Sequence, residues 1–97
     1  MKQESAKTRV AQAKQSSDKI LLCIFNYIQG FGYPPNVRDI CEIVGLSSSS
    51  TVHKYMNRLR EQKLINYVDG KSRTTTITAK GHKLVHELLN QHKKLSL

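Results

Sequence analysis

Ser50, His53, Lys54 and Asn57 recur at three- and four-residue intervals, with Thr51 and Arg58 on the flank of the same run. On a helix this spacing lines short polar side chains along one face. The chemistry open to such a row is recognition. Asn can pair with adenine through two bonds, Lys with the acceptors of guanine, and Thr through its methyl with thymine. Ser48 and Ser49, just ahead of the row, add hydroxyls, and the free backbone N–H groups of a helix start suit a phosphate. An ordinary solvated helix face has the same composition, so the surrounding elements must decide between the two.

Catalytic chemistry is harder to place. No Ser or carboxylate stands at a fixed triad spacing from His53. His82 and His86 are four residues apart and could share a metal, but no nearby Cys, Asp or second pair completes a tetrahedral set. Gly30, Gly32 and Gly45 read as helix breakers, not as a phosphate-cradling loop. Seven acidic residues scattered over 97 make no paired-carboxylate site. The expectation is a protein that is not an enzyme and uses no cofactor or metal. Cys23 and Cys41 fall inside apolar helical patterns and read as small buried hydrophobes in a reducing compartment, not as a disulfide.

The chain carries 16 basic and 7 acidic side chains, a net charge of +9. Such an excess favours a polyanionic partner, because basic side chains displace the counterions condensed on phosphates. It is unevenly spread. Residues 1–17 hold four basic side chains against one acidic, and residues 46–65 repeat that balance, while residues 18–45 are nearly neutral. No apolar run approaches the ~20 residues needed to cross a bilayer. The longest, Ile20 to Phe25, lies too far into the chain for a signal peptide. No membrane association and a cytoplasmic location are expected.

The elements that must position the polar row follow from periodicity. Residues 1–17 read as a basic flexible tail of low helical content, able to add phosphate contacts. A helix then starts at Ser17 or Asp18 with Leu21, Ile24, Phe25 and Ile28 on one face, and stops at Gly30 and Gly32. Asn36 reads as the N-cap of a second helix, with Asp39 placed to complete a capping box, a stripe of Ile40, Ile43 and Val44, and Gly45 as its stop. The serine run Ser47–Ser50 contains the N-cap of a third helix, about residues 49–62, which buries Val52, Tyr55, Met56 and Leu59 and keeps Lys63 near the inward side. Leu64–Val68 and Thr74–Thr78 read as a hairpin turning at Asp69-Gly70, with Lys71 and Arg73 at its tip. A final helix spans about Ala79–Lys94, its stripe Leu84, Val85, Leu88, Leu89 and Leu95. The fold class is therefore mainly α with a small β-wing: a winged helix-turn-helix plus a C-terminal helix.

Gly32–Ile40, Val44-Gly45-Leu46, Ser48–His53, Leu59 and Lys63-Leu64-Ile65 together resemble the N-terminal winged helix-turn-helix of LexA repressors, in the version found in Gram-positive bacteria. The resemblance covers roughly residues 18–78. It implies that the helix beginning in the serine run is the recognition helix and that Ser48, Ser50, Thr51, His53 and Lys54 meet bases or phosphates. Lys54 stands where the resemblance leads to a small residue, so the preferred base pairs are expected to differ. LexA proteins continue into a self-cleaving domain with an Ala-Gly cleavage site and a Ser-Lys dyad, and this chain contains no Ala-Gly pair. A free-standing regulator of phage or mobile-element type is expected.

The expectation is a sequence-specific transcriptional regulator, a repressor rather than an activator, whose partner is double-stranded DNA. Its candidate contacts are Ser48, Ser49, Ser50, Thr51, His53, Lys54, Asn57, Arg58, Lys71 and Arg73. Three regions are expected: tail 1–17, DNA-binding unit 18–78, and residues 79–97 as a helix that joins two copies into a homodimer. The alternative is a winged-helix protein–protein module that modulates another regulator, a reading the polar-basic face and wing disfavour.

Overall fold

A computed structural model of the chain describes the backbone of residues 2–96 and the side chains of residues 16–91. Helix α1 runs Lys2–Phe31. The expected start at Ser17 or Asp18 and the expected tail of low helical content do not hold: the backbone is helical from Lys2. The physical reason is local. Lys, Gln, Glu, Ala and Arg lose little side-chain freedom in a helix, and no Gly or Pro interrupts the chain before Gly30. Ser17, a cap candidate by sequence, instead lies buried one turn ahead of Ile20 and Leu21. With Ile24, these side chains form the part of α1 around which the other helices pack.

Pro34-Pro35 turns the chain into α2 (Val37–Val44). The capping box is present: Asp39 N–H donates to Asn36 Oδ1 at 2.8 Å, and Asn36 N–H donates to Asp39 Oδ2 at 3.1 Å. Ile40 is fully buried, with Val37, Cys41 and Val44 packed beside it. Ile43, expected in the stripe, is exposed, because this short helix meets α1 and α3 on its other side. Gly45 ends α2 in the left-handed region at φ 82° and bonds back to the Cys41 carbonyl.

Helix α3 (Ser49–Glu61) buries Val52, Met56 and Leu59, with Tyr55 half-buried. The helix stops before Lys63, which turns at φ 63° and is exposed rather than inward. Leu64 N–H reaches the Leu59 carbonyl at 2.9 Å and Lys63 N–H the Arg60 carbonyl at 2.9 Å, a closure usually built on glycine.

Strands β1 (Ile65–Asn66) and β2 (Thr76–Ile77) pair antiparallel, Ile65 opposite Ile77 and Asn66 opposite Thr76. The ladder is shorter than the five-residue strands expected. Beyond Asn66 the Val68 N–H donates to the Thr74 hydroxyl at 2.9 Å, and Arg73 turns at φ 58°, so pairing cannot continue. Helix α4 (Ala79–Ser96) returns along α1 and contributes Val85, which is fully buried. Its first turn is stitched to the α3–β1 connection: the Thr78 hydroxyl lies 2.6 Å from the Lys63 carbonyl and accepts from Gly81 N–H at 3.0 Å. The last helix is thus part of the core.

Candidate nucleic-acid interface

The buried stripe of α3 dictates what its other side presents. With Val52, Met56 and Leu59 turned inward, Ser49, Ser50, His53, Lys54 and Asn57 are exposed, and Thr51 and Arg58 are half-buried on the flank. Ser48 takes the N-cap position with extended backbone, but its side chain makes no capping bond. The first N–H groups of α3 therefore keep their donor capacity facing outward.

The wing stands beside this face, joined to it by side chains. Arg60 of α3 donates from Nη1 to the Tyr67 carbonyl at 3.1 Å and to Asp69 Oδ1 at 3.2 Å. Its Nη2 donates to Asn57 Oδ1 at 3.0 Å and to Asp69 Oδ2 at 3.3 Å. The guanidinium lies over the Tyr67 ring, 4.2 Å from its centroid. The Tyr67 hydroxyl donates to the same Asn57 oxygen. Hydrogen bonding to Asp69 raises the Arg60 pKa further, and burial pushes the Tyr67 phenol up, so both remain donors at neutral pH.

The second leg of the wing is tied elsewhere. Arg73, expected among the DNA contacts, pairs with Asp39 at 3.3 Å, donates to the Pro34 carbonyl at 3.1 Å and lies 4.9 Å from the centre of the Tyr33 ring. Lys71 at the tip is exposed; its backbone N–H donates to the Val68 carbonyl at 3.2 Å and its carbonyl accepts from the Thr74 hydroxyl at 3.2 Å. The structure therefore brings the α3 row and Lys71 to one side, while Asn57 and Arg73 are already held by partners within the chain.

Between α2, α3 and the wing lies an open cleft of about 330 Å³. His53, Lys71, Arg73 and Arg38 all line it. Arg38 is exposed and was missed in the sequence. A signal existed, since a cation in the first turn of a helix opposes the helix dipole and needs another reason to be there. Among the described residues no group of three or more His, Cys, Asp or Glu could hold a metal ion, and no helix is long and apolar enough to cross a membrane.

Two helices joined across the Gly45 turn, the second carrying an exposed polar row with a two-stranded wing at its side, define a winged helix-turn-helix protein. The family model described as the LexA DNA binding domain matches residues 12–74, and the chain belongs to that family. It is similar to the LexA repressor of Ligilactobacillus salivarius, 39% identical over 82 residues, covering 84% of this chain and 40% of that protein. It is 45% identical over 69 residues to the LexA repressor of Limosilactobacillus reuteri, covering 71% of this chain and 33% of the relative. The LexA repressor of Moorella thermoacetica is 46% identical over 61 residues, 59% of this chain and 30% of that one. The chain spans two-fifths or less of the length of these curated relatives.

Proposed function

We propose that the chain is a sequence-specific double-stranded DNA-binding transcriptional repressor that lays α3 in the major groove. The observation that carries this reading is the outward row of α3, unobstructed from Ser48 to Lys54, with an uncapped helix start behind it and the exposed cation Lys71 beside it. Ser50, Thr51, His53 and Lys54 read base edges; Ser48, Ser49 and the first N–H groups of α3 hold a phosphate. Arg38, Arg58 and Lys71 flank the row and meet the backbone. Binding is itself the activity, since occupancy of a promoter suffices for repression, and no catalytic step is required of these residues. Two copies joined through α4 cover the two halves of a palindromic site.

The decisive experiment first selects bound sequences from a random duplex pool. On the selected site, Thr51→Ala and His53→Ala should each cost roughly 1–3 kcal/mol of binding free energy, with little change on random duplex. Equal losses on both would show that these side chains do not read bases.

A further inference from the structure

On the reading that α3 and the wing bind DNA, we propose that Arg60 is a positioning residue that sets the wing against the recognition helix, and that Asn57 belongs to this strut instead of reading a base. The short ladder makes the strut necessary. Two residue pairs between β1 and β2 cannot by themselves orient a loop that runs from Tyr67 to Thr75. Its first leg is instead gripped by one planar guanidinium. Arg60 bonds the Tyr67 carbonyl, both Asp69 oxygens and Asn57, and stacks on the Tyr67 ring. Arg73 fixes the second leg to Pro34 and Asp39. The wing is thereby held to α3 on one side and to the start of α2 on the other.

Asn57 lies in the polar row, yet its Oδ1 already accepts from Arg60 and from the Tyr67 hydroxyl. Reading adenine would require that same oxygen to accept from the base N6 while Nδ2 donates to N7. Both lone pairs are occupied, so the bidentate mode is closed while the strut is intact. Arg60 is likewise turned to the wing, its charge balanced by Asp69, and it is not a phosphate contact. What the strut presents to DNA is Lys71. A lysine cannot replace Arg60, because it has neither the fork nor the flat face that stacks on Tyr67.

The test uses the full chain, the selected duplex and a random duplex, titrated at several salt concentrations. Arg60→Lys conserves charge, so a phosphate contact would tolerate it; a strut would not, and binding to the selected site should weaken. Because Arg60 acts through the wing, the loss caused by Lys71→Ala should shrink by about threefold or more in the Arg60→Lys background. Additive losses, or wild-type binding by Arg60→Lys, overturn the positioning role. Repeating the selection with Asn57→Ala should return the same base pattern at weaker affinity; a changed preference at one position overturns its place in the strut. Amide hydrogen exchange at Val68 and Lys71 in the DNA-free protein is an independent arm. It should accelerate in Arg60→Lys and Asn57→Ala while the α1 core amides stay protected, and unchanged exchange overturns the strut. If the wild type selects no sequence, the DNA reading fails by itself, and the exchange arm still decides whether Arg60 holds the wing.

Discussion

At the scale of single residues, spacing and environment answer different questions. The exposure of His53 and Lys54 follows from their angle to Val52 on a helix, so periodicity was enough to find it. The engagement of Arg73 with Asp39, 34 positions earlier in the chain, could not be read that way, because nothing local links the two. The cysteines divide similarly. Cys23 is nearly fully buried, and that burial, reinforced by the charge of Asp39, raises its thiol from 9.0 to about 11. Cys41 is only half-buried. At pH 8 a thiol reagent should therefore modify Cys41 in the folded protein and Cys23 only after denaturant is added. The sign of the linked pH effect follows: above pH 9.0 the unfolded thiol ionises while the folded one resists until about 11. Stability should fall across that alkaline window, and Cys23→Ser should remove this part of the fall. Two rapidly reacting thiols in the native protein would contradict the burial of Cys23.

At the scale of elements, two positions carry the wrong or the only possible residue. Lys63 closes α3 at φ 63°, where a side chain is strained and glycine is not. Gly81 lies where α4 passes the end of α3: a Cβ there would stand 2.1 Å from the Leu64 carbonyl oxygen and 2.8 Å from Ile77 Cγ2. The obstacle is backbone, so it cannot swing aside. Opposite outcomes are expected in thermal or denaturant unfolding. Lys63→Gly should stabilise by about 1 kcal/mol, and Gly81→Ala should destabilise by about 3 kcal/mol as α4 is pushed off β1. A neutral Gly81→Ala would mean that α4 does not dock as closely as described. The helices themselves were legible because caps and periodicity agree, as at Asn36, Asp39 and Gly45. The start of α1 was not, because a polar composition suits a tail and a helix alike.

At the scale of the whole molecule, α4 packs on the core and is also the proposed joint between two copies. Val85 is fully buried, and Leu84 and Leu89 pack on the core, so removing the helix would open the domain. Leu88 is half-buried but lies outside that packed set among the described residues, and Leu95 lies outside the described side chains. Dimerisation through α4 therefore has to be tested by a surface substitution and not by truncation. Sedimentation of the full chain at micromolar concentration should show a dimer, and Leu88→Glu should shift it to monomer with its thermal unfolding preserved. That variant should then bind single half-sites far more weakly than the wild type binds the full palindrome. A wild-type chain that sediments as a monomer and selects only a single half-site would rule the dimer out.

The order of elements, the polar row on α3 and the turn at Gly45 could all be read from the sequence, because each depends on helical period, capping and left-handed backbone within a few residues. Which of the charged side chains remain available could be read from the folded arrangement alone. Arg60 and Arg73 each contribute one positive charge, as Lys71 does, but Asp69 and Asp39 approach them only once the wing has folded against α2 and α3. Charge is additive along a chain, whereas the pairing that cancels it depends on distance across the fold.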